Sequence, residues 1–189
     1  MRFVVGLGNP GERYRRNRHN VGFMVVDALC ARTGVSRGME RGGAWLTEAS
    51  FEGGTALLVK PLSFMNASGG PVARILEGHG GSPSDLVVVV DDVALDLGRV
   101  RVRERGSHGG HNGLRSLIDE LGTEEFARVR VGIRKGEVPE ELAAYVLSDF
   151  PPEDVLVVQE MVGLAADAAL CILDEGPGAA MNRFNAPPA

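Results

Sequence analysis

Apolar residues recur along the chain with two distinct periods. Phe3 to Leu7 is a short, β-branched run cut off by Gly8-Asn9-Pro10-Gly11, which predicts a buried strand followed by a tight turn. Val21 to Ala31 has the length and apolar density of a helix, with Asn20 placed to cap its start and Gly34 just past its end. Trp45 to Phe51 and Thr55 to Lys60 flank Gly53-Gly54 and predict a β-hairpin. A helix is expected from about Ala67 to Glu77, carried by Val72, Ile75 and Leu76, with Gly69, Gly70 and Pro71 near its start. Leu86 to Val90 is an unbroken apolar run closed by Asp91-Asp92, the pattern of a central strand covered on both faces.

The second half continues the alternation. Arg99, Arg101 and Arg103 alternate with Val100 and Val102, so a strand here places the arginines on one face and the valines inward. The loop Gly106 to Gly110 follows, then a helix from about His111 to Leu121, a strand from Val129 to Ile133 and a long apolar helix from about Glu153 to Leu173. Strands that alternate with helices predict an α/β fold: one domain, residues 1–189, built on a mixed, mostly parallel twisted sheet with helices on both faces.

Composition agrees with a folded chain. At 189 residues, 44% hydrophobic and 24% charged, it can bury a sizeable core without disulfides or metals. No apolar run is expected to reach the ~18 residues that a membrane span needs, and Met1 to Gly8 leads directly into strand one, so a cytoplasmic protein without a membrane partner is expected. Cys30 and Cys171 sit in apolar, helix-like stretches with no CxxC partner and are expected to be reduced core residues; neither a metal nor a cofactor is suggested.

The net charge of −5 conceals an asymmetry. Between Arg99 and Lys135 nine basic residues face five acids, a local +4, so the remainder carries −9. Arg13, Arg15, Arg16 and Arg18 form a second basic knot opposed only by Glu12. Eighteen of the twenty basic residues are Arg, whose planar fork suits phosphate, although a solvated surface would account for either cluster equally well.

Gly6-Leu-Gly-Asn-Pro-Gly11 matches the GxGxxG spacing of a dinucleotide-binding turn. Such a loop must open directly into a helix that packs on the sheet, yet Glu12 to His19 has only Tyr14 as an apolar residue, and Pro10 removes an amide N–H from the loop that would cradle a pyrophosphate. The glycines are better read as a turn that leaves Asn9 at the carboxyl end of strand one.

Other polar residues fall at what should be the same sheet edge: His19 and Asn20, Met65-Asn66, Asp91, and His111-Asn112. Each alone has an ordinary explanation as a cap, turn or strand terminator, and the signal is their joint occurrence. No activated nucleophile stands out, since Ser63 and Ser107 lack a GxSxG elbow and neither Cys has basic neighbours. Chemistry at this edge would therefore use activated water. A histidine can serve as its base near neutral pH when a carboxylate holds the other ring nitrogen, and His19 with Asp91 would supply that pair. Carboxamides add neutral donors and acceptors suited to a peptide group and an oxyanion.

Taken together, Gly6-Leu-Gly-Asn-Pro-Gly11 with Tyr14 and Arg18-His-Asn20, Lys60-Pro-Leu-Ser-Phe-Met-Asn66 with Ser68-Gly69, Asp91-Asp92, Gly109-Gly-His-Asn-Gly113 and the terminal Met181-Asn-Arg-Phe184 resemble, in order, the bacterial peptidyl-tRNA hydrolase family. The resemblance implies a monomeric, metal-independent esterase without cofactor that cleaves peptidyl-tRNA between the peptide and the tRNA 3′ end and frees the tRNA for reuse. It implies His19 as general base, Asp91 as its orienting carboxylate, and Asn9, Asn66 and Asn112 as the groups holding water, peptide and scissile carbonyl. Tyr14, Met65, Gly109, Gly110 and His111 would contact substrate, and Arg101, Arg103 and Arg130 would clamp the acceptor stem. Two positions depart from the pattern: Ala94 stands where the family commonly has a second aspartate, and Asn17 where a Thr is common.

Overall fold

The computed structural model, described over residues 1–186, is built on one seven-stranded sheet in the order β2-β3-β4-β1-β5-β7-β6. Its centre is parallel: β1 (Arg2–Gly6) lies between β4 (Gly54–Pro61) and β5 (Leu86–Asp96), and β5 pairs in parallel with β7 (Ala127–Arg134). Antiparallel strands close both sides, β3 (Ala44–Phe51) and β2 (Met39–Arg41) beyond β4, and β6 (Val100–Arg103) beyond β7. The mixed, mostly parallel sheet is the one expected from the alternation of strands and helices.

Strand periodicity divides the interior in two. Leu86, Val88 and Val90 of β5 face one core with Phe3 and Val5, whereas Val87 and Val89 face the other with Val4. The first core is covered by α2 (Gly69–Gly78) and α3 (Asn112–Leu121), and the second by α1 (Val21–Thr33), α5 (Val155–Glu175) and α6 (Pro177–Phe184). Cys30 and Cys171 are buried free thiols in the second core.

Three elements differ from the sequence reading. β5 runs through Asp91-Asp92 to Asp96, so Asp91 is a buried position within the strand and not its terminator. Asn20 precedes α1 but makes no capping bond to that helix. The segment Pro152–Glu175 is long and apolar enough to meet the criterion for a membrane span, contrary to expectation, yet Met161, Ala165, Ala168, Ala169 and Ile172 are packed into the core against α1 and the sheet. Its composition is that of a helix buried along much of its length.

The glycines after β1 serve packing. A Cβ on Gly6 would lie 2.1 Å from the carbonyl oxygen of Gly22, and a Cβ on Gly22 would lie 2.5 Å from the backbone of Leu7, so α1 meets β1 backbone to backbone. Gly11 has φ of 109°, and the chain leaves it in a 3-10 turn, Glu12–Tyr14, with no sheet-packed helix until Val21. The dinucleotide reading thus lacks the helix it requires. Overpacking a well-filled interior typically costs ~1–3 kcal/mol, and Gly6→Ala is expected at or above the upper end because the obstacle is backbone. Urea unfolding should show a lower midpoint with an unchanged slope; a wild-type midpoint would contradict the close approach.

Candidate active site

Four parallel strands place their carboxyl ends on one edge, and the loops that leave them converge there. The loop after β1 brings Asn9, the 3-10 turn Arg18–Asn20 brings His19, the loop after β4 brings Met65, and β5 brings Asp91 from inside the sheet. Asp91 is almost wholly buried, with 2% of its side chain exposed. Its Oδ1 accepts from both His19 Nδ1, at 2.8 Å, and His111 Nε2, at 2.9 Å. The two imidazoles lie 5.1 Å apart, tilted by 51°.

The proton positions follow from the partners. An ionised carboxylate only accepts, so the ring nitrogen facing it carries hydrogen. At His19 that is Nδ1, which leaves Nε2 with its lone pair. At His111 it is Nε2, and Nδ1 accepts from the backbone N–H groups of Gly113 and Leu114 at 3.1 and 3.2 Å, capping α3. Burial alone would push the Asp91 pKa up; the N–H groups of His111 and His19 that donate to Oδ1 overcome this and hold it well below the ordinary carboxylate range.

Among the described residues, His19, Asp91 and His111 are the one cluster whose ligand atoms lie close enough to hold a metal ion. The donor set does not fit one: both nitrogens already meet Oδ1 at hydrogen-bond distance, and freeing a lone pair on His111 Nε2 would move its proton to Nδ1 and break the α3 cap.

Asn9 is fixed by three bonds. Its N–H donates to Asn20 Oδ1 and its carbonyl accepts from Asn20 Nδ2, both at 2.9 Å, which is where the side chain expected to cap α1 has gone. Asn9 Oδ1 accepts from the Met65 N–H at 2.8 Å, so the amide orientation is set and Nδ2 remains for another partner. Met65 is buried, and Asn66 beside it is exposed. Tyr14 packs edge-on against exposed Phe64 with Arg13 stacked on its ring.

A cavity of about 520 Å³ opens beside the imidazole pair. His19, Asp91, Gly109, Gly110, His111, Asn112, Arg103 and Arg130 line it, and Leu142, Ala143 and Val146 of α4 (Leu142–Val146) form an apolar wall. Asn9, Tyr14, Met65, Asn66 and Arg101 do not line this cavity.

The arginines separate into two groups. Arg101 stands opposite Arg130 and Arg103 opposite Arg128 across the β6–β7 pair, so all four belong to one face. Arg128 is buried, donates to the carbonyls of Gly106, Ser107 and Glu124, and has its pKa pulled down to about 10 by that burial. Arg130 is paired with Asp92 at 2.5 Å. Arg105 and Arg134 pair with Glu125 and Asp96, and among the described residues no carboxylate pairs with Arg101 or Arg103. In the first knot Arg13, Arg15 and Arg16 are exposed, whereas Arg18 is buried, donating to the Ser148 and Asp149 carbonyls and stacking on Tyr145 and Phe150. Asn17 donates to Asp149 at 2.5 Å, and together these bonds tie the α4 segment to the turn bearing His19.

The sequence had no signal for the His111–Asp91 bond, the grip of Asn20 on Asn9, or the inward turn of Arg18 and Arg128. At Ala94 the backbone N–H donates to Asp92 Oδ1 at 2.8 Å, and the methyl side chain brings no carboxylate to this end of β5.

A carboxylate whose folded pKa is depressed contributes stability above its unfolded pKa and loses it as pH falls through the folded value. Asp91→Asn removes this contribution. The free energy of unfolding should therefore fall less steeply between about pH 4 and pH 2 in the variant than in the wild type. Equal slopes in a denaturant series across that range would contradict the ion-stabilising environment.

The family model described as peptidyl-tRNA hydrolase matches residues 3–189. A peptidyl-tRNA hydrolase of Brevibacillus brevis is 44% identical over 185 residues, covering 98% of each chain, and one of Thermotoga petrophila is 44% identical over 184 residues, covering 96% of each. The crystal structure of peptidyl-tRNA hydrolase from Acinetobacter baumannii superposes with a TM-score of 0.89 at 28% identity, covering 98% of this chain and 95% of that one.

Proposed function

Since the chain belongs to the peptidyl-tRNA hydrolase family, we propose that it hydrolyses the ester joining peptide to tRNA with His19 as the general base. The observation that carries this reading is the 2.8 Å bond between His19 Nδ1 and buried Asp91 at the edge of the cavity. Asp91 holds the imidazole in the Nδ1–H tautomer, which presents Nε2 as the base and stabilises the imidazolium formed when it takes a proton. Water deprotonated at Nε2 adds to the ester carbonyl carbon, and the oxyanion is met by neutral amide donors. Asn9 Nδ2 and the Asn112 side chain are assigned to that role, with Asn66 holding the peptide. Collapse breaks the bond to the ribose oxygen, which takes the proton back from His19 and leaves as free tRNA.

The substrate's two halves meet different chemistry. Arg101 and Arg103, on one strand face and outside any ion pair among the described residues, are assigned to phosphates of the acceptor stem. Arg130 is a weaker candidate than its position in the sequence suggests, because Asp92 offsets its charge. Gly109, Gly110 and His111 border the reacting end, and Met65 and Tyr14 are assigned to the substrate path on the Asn9 side. An amide-lined site disfavours a charged, strongly hydrated α-amino group, so N-blocked aminoacyl-tRNA is the preferred class.

His19→Ala should lower kcat for N-acetyl-aminoacyl-tRNA by ~10²–10⁴ while the Kd for tRNA stays within a few-fold, because a base acts on the transition state and not on the phosphates. A variant with wild-type kcat would require another base. Arg101→Ala and Arg103→Ala should each raise KM and reduce the log–log salt slope by roughly 0.7–0.9, one phosphate contact apiece. An unchanged slope in either would remove that residue from the clamp.

A further inference from the structure

His111 is a puzzle if it merely borders the cavity. Both of its ring nitrogens are in use, Nε2 on Asp91 and Nδ1 on two backbone amides, so neither is free for a substrate. Its side chain is as enclosed as that of His19, each 11% exposed. A carboxylate oxygen that accepts two hydrogen bonds has both of its lone pairs engaged, so the two donors compete for the same charge. His19 therefore does not have Asp91 to itself.

We propose that His111 is a positioning residue that tunes the base: as a neutral second donor on Asp91 Oδ1, it fixes the carboxylate and limits how strongly Asp91 stabilises protonated His19. Neutrality is built into the fold. Protonation of His111 requires a hydrogen on Nδ1, where the amides of Gly113 and Leu114 point, so the charged form can exist only by uncapping α3. The ring is thus held as an Nε2–H donor, while His19 has one nitrogen on the same oxygen and, among the described residues, no partner on the other. This deepens the assignment of His19 as base and rests on it.

Without His111, Asp91 keeps the hydrogen bond from His19, and its whole acceptor capacity falls on that ring, favouring the imidazolium. The base is then occupied by a proton to higher pH. The other charged or titratable side chains on the cavity are Asp92 with its partner Arg130, Arg103, Arg105, Arg128 and His108.

Two variants separate tuning from capping. His111→Asn supplies an Oδ1 that can cap α3 in place of Nδ1, but nothing that reaches the position of Nε2; His111→Ala loses both. The acid limb of kcat/KM for N-acetyl-aminoacyl-tRNA should move to higher pH by ~0.5–1 unit in both, about three- to tenfold in rate on that limb, with His111→Ala, which also loses the α3 cap, melting earlier than His111→Asn. The His19 ring protons, followed by NMR titration without substrate, should shift in the same sense. A His111→Asn profile and ring titration that superimpose on wild type would overturn the proposal, as would a rate shift with no change at the His19 ring. A ring titration that moves while the rate profile stays fixed would uphold the tuning by His111 and refute His19 as the base instead.

Discussion

A carboxylate buried at the sheet edge is the constraint around which this structure is organised. Taking Asp91 out of water is costly, and the cost is offset only because two imidazole N–H groups meet one of its oxygens at 2.8 and 2.9 Å. Each donor comes from a different part of the chain, one from the turn before α1 and the other from the cap of α3. Neither can reach Asp91 unless α1 and α3 are seated on opposite faces of β5. The site is therefore a product of the whole sheet and not of any single loop.

Backbone contact provides that seating. α1 lies so near β1 that Gly6 and Gly22 leave no space for a methyl group, which draws the preceding turn, and His19 with it, down onto β5. On the other face a Cβ at Gly113 would lie 2.5 Å from Met65 Sδ and 3.1 Å from His111 Cε1, so the loop after β4 is packed against the α3 cap. Asn9 then locks to Met65 and Asn20, joining the first loop to both. The apolar wall of α4 is tied to the same turn through Asn17 and Arg18. Positional accuracy at the imidazole pair comes from this chain of short contacts, most of them to backbone, which cannot rotate away as a side chain can.

Much of this was legible in the residue pattern. β1, the hairpin of β3 and β4, α1 and the alternating face of β6 follow from apolar period and turn chemistry, and the convergence of Asn9, His19, Met65 and Asp91 follows from the rule that parallel strands share a carboxyl edge. What was not legible has a common cause: a polar side chain's partner is chosen in three dimensions. Asn20 stands where a helix cap should be, yet the Asn9 backbone offers it two bonds in place of one. Arg18 and Arg128 look like members of surface clusters, but a guanidinium can be buried when carbonyls surround it. β5 outran its apolar run because Asp91 and Asp92 find internal partners in imidazole and Arg130 and so need not end the strand.

On the proposed mechanism, Asp91 fixes the tautomer of His19. Long-range ¹H–¹⁵N correlation spectra of the free protein near neutral pH read it directly, since the protonated and unprotonated ring nitrogens of a neutral histidine resonate far apart. His19 is expected to carry its hydrogen on Nδ1, with Nε2 unprotonated. A His19 ring found with the hydrogen on Nε2 would contradict it.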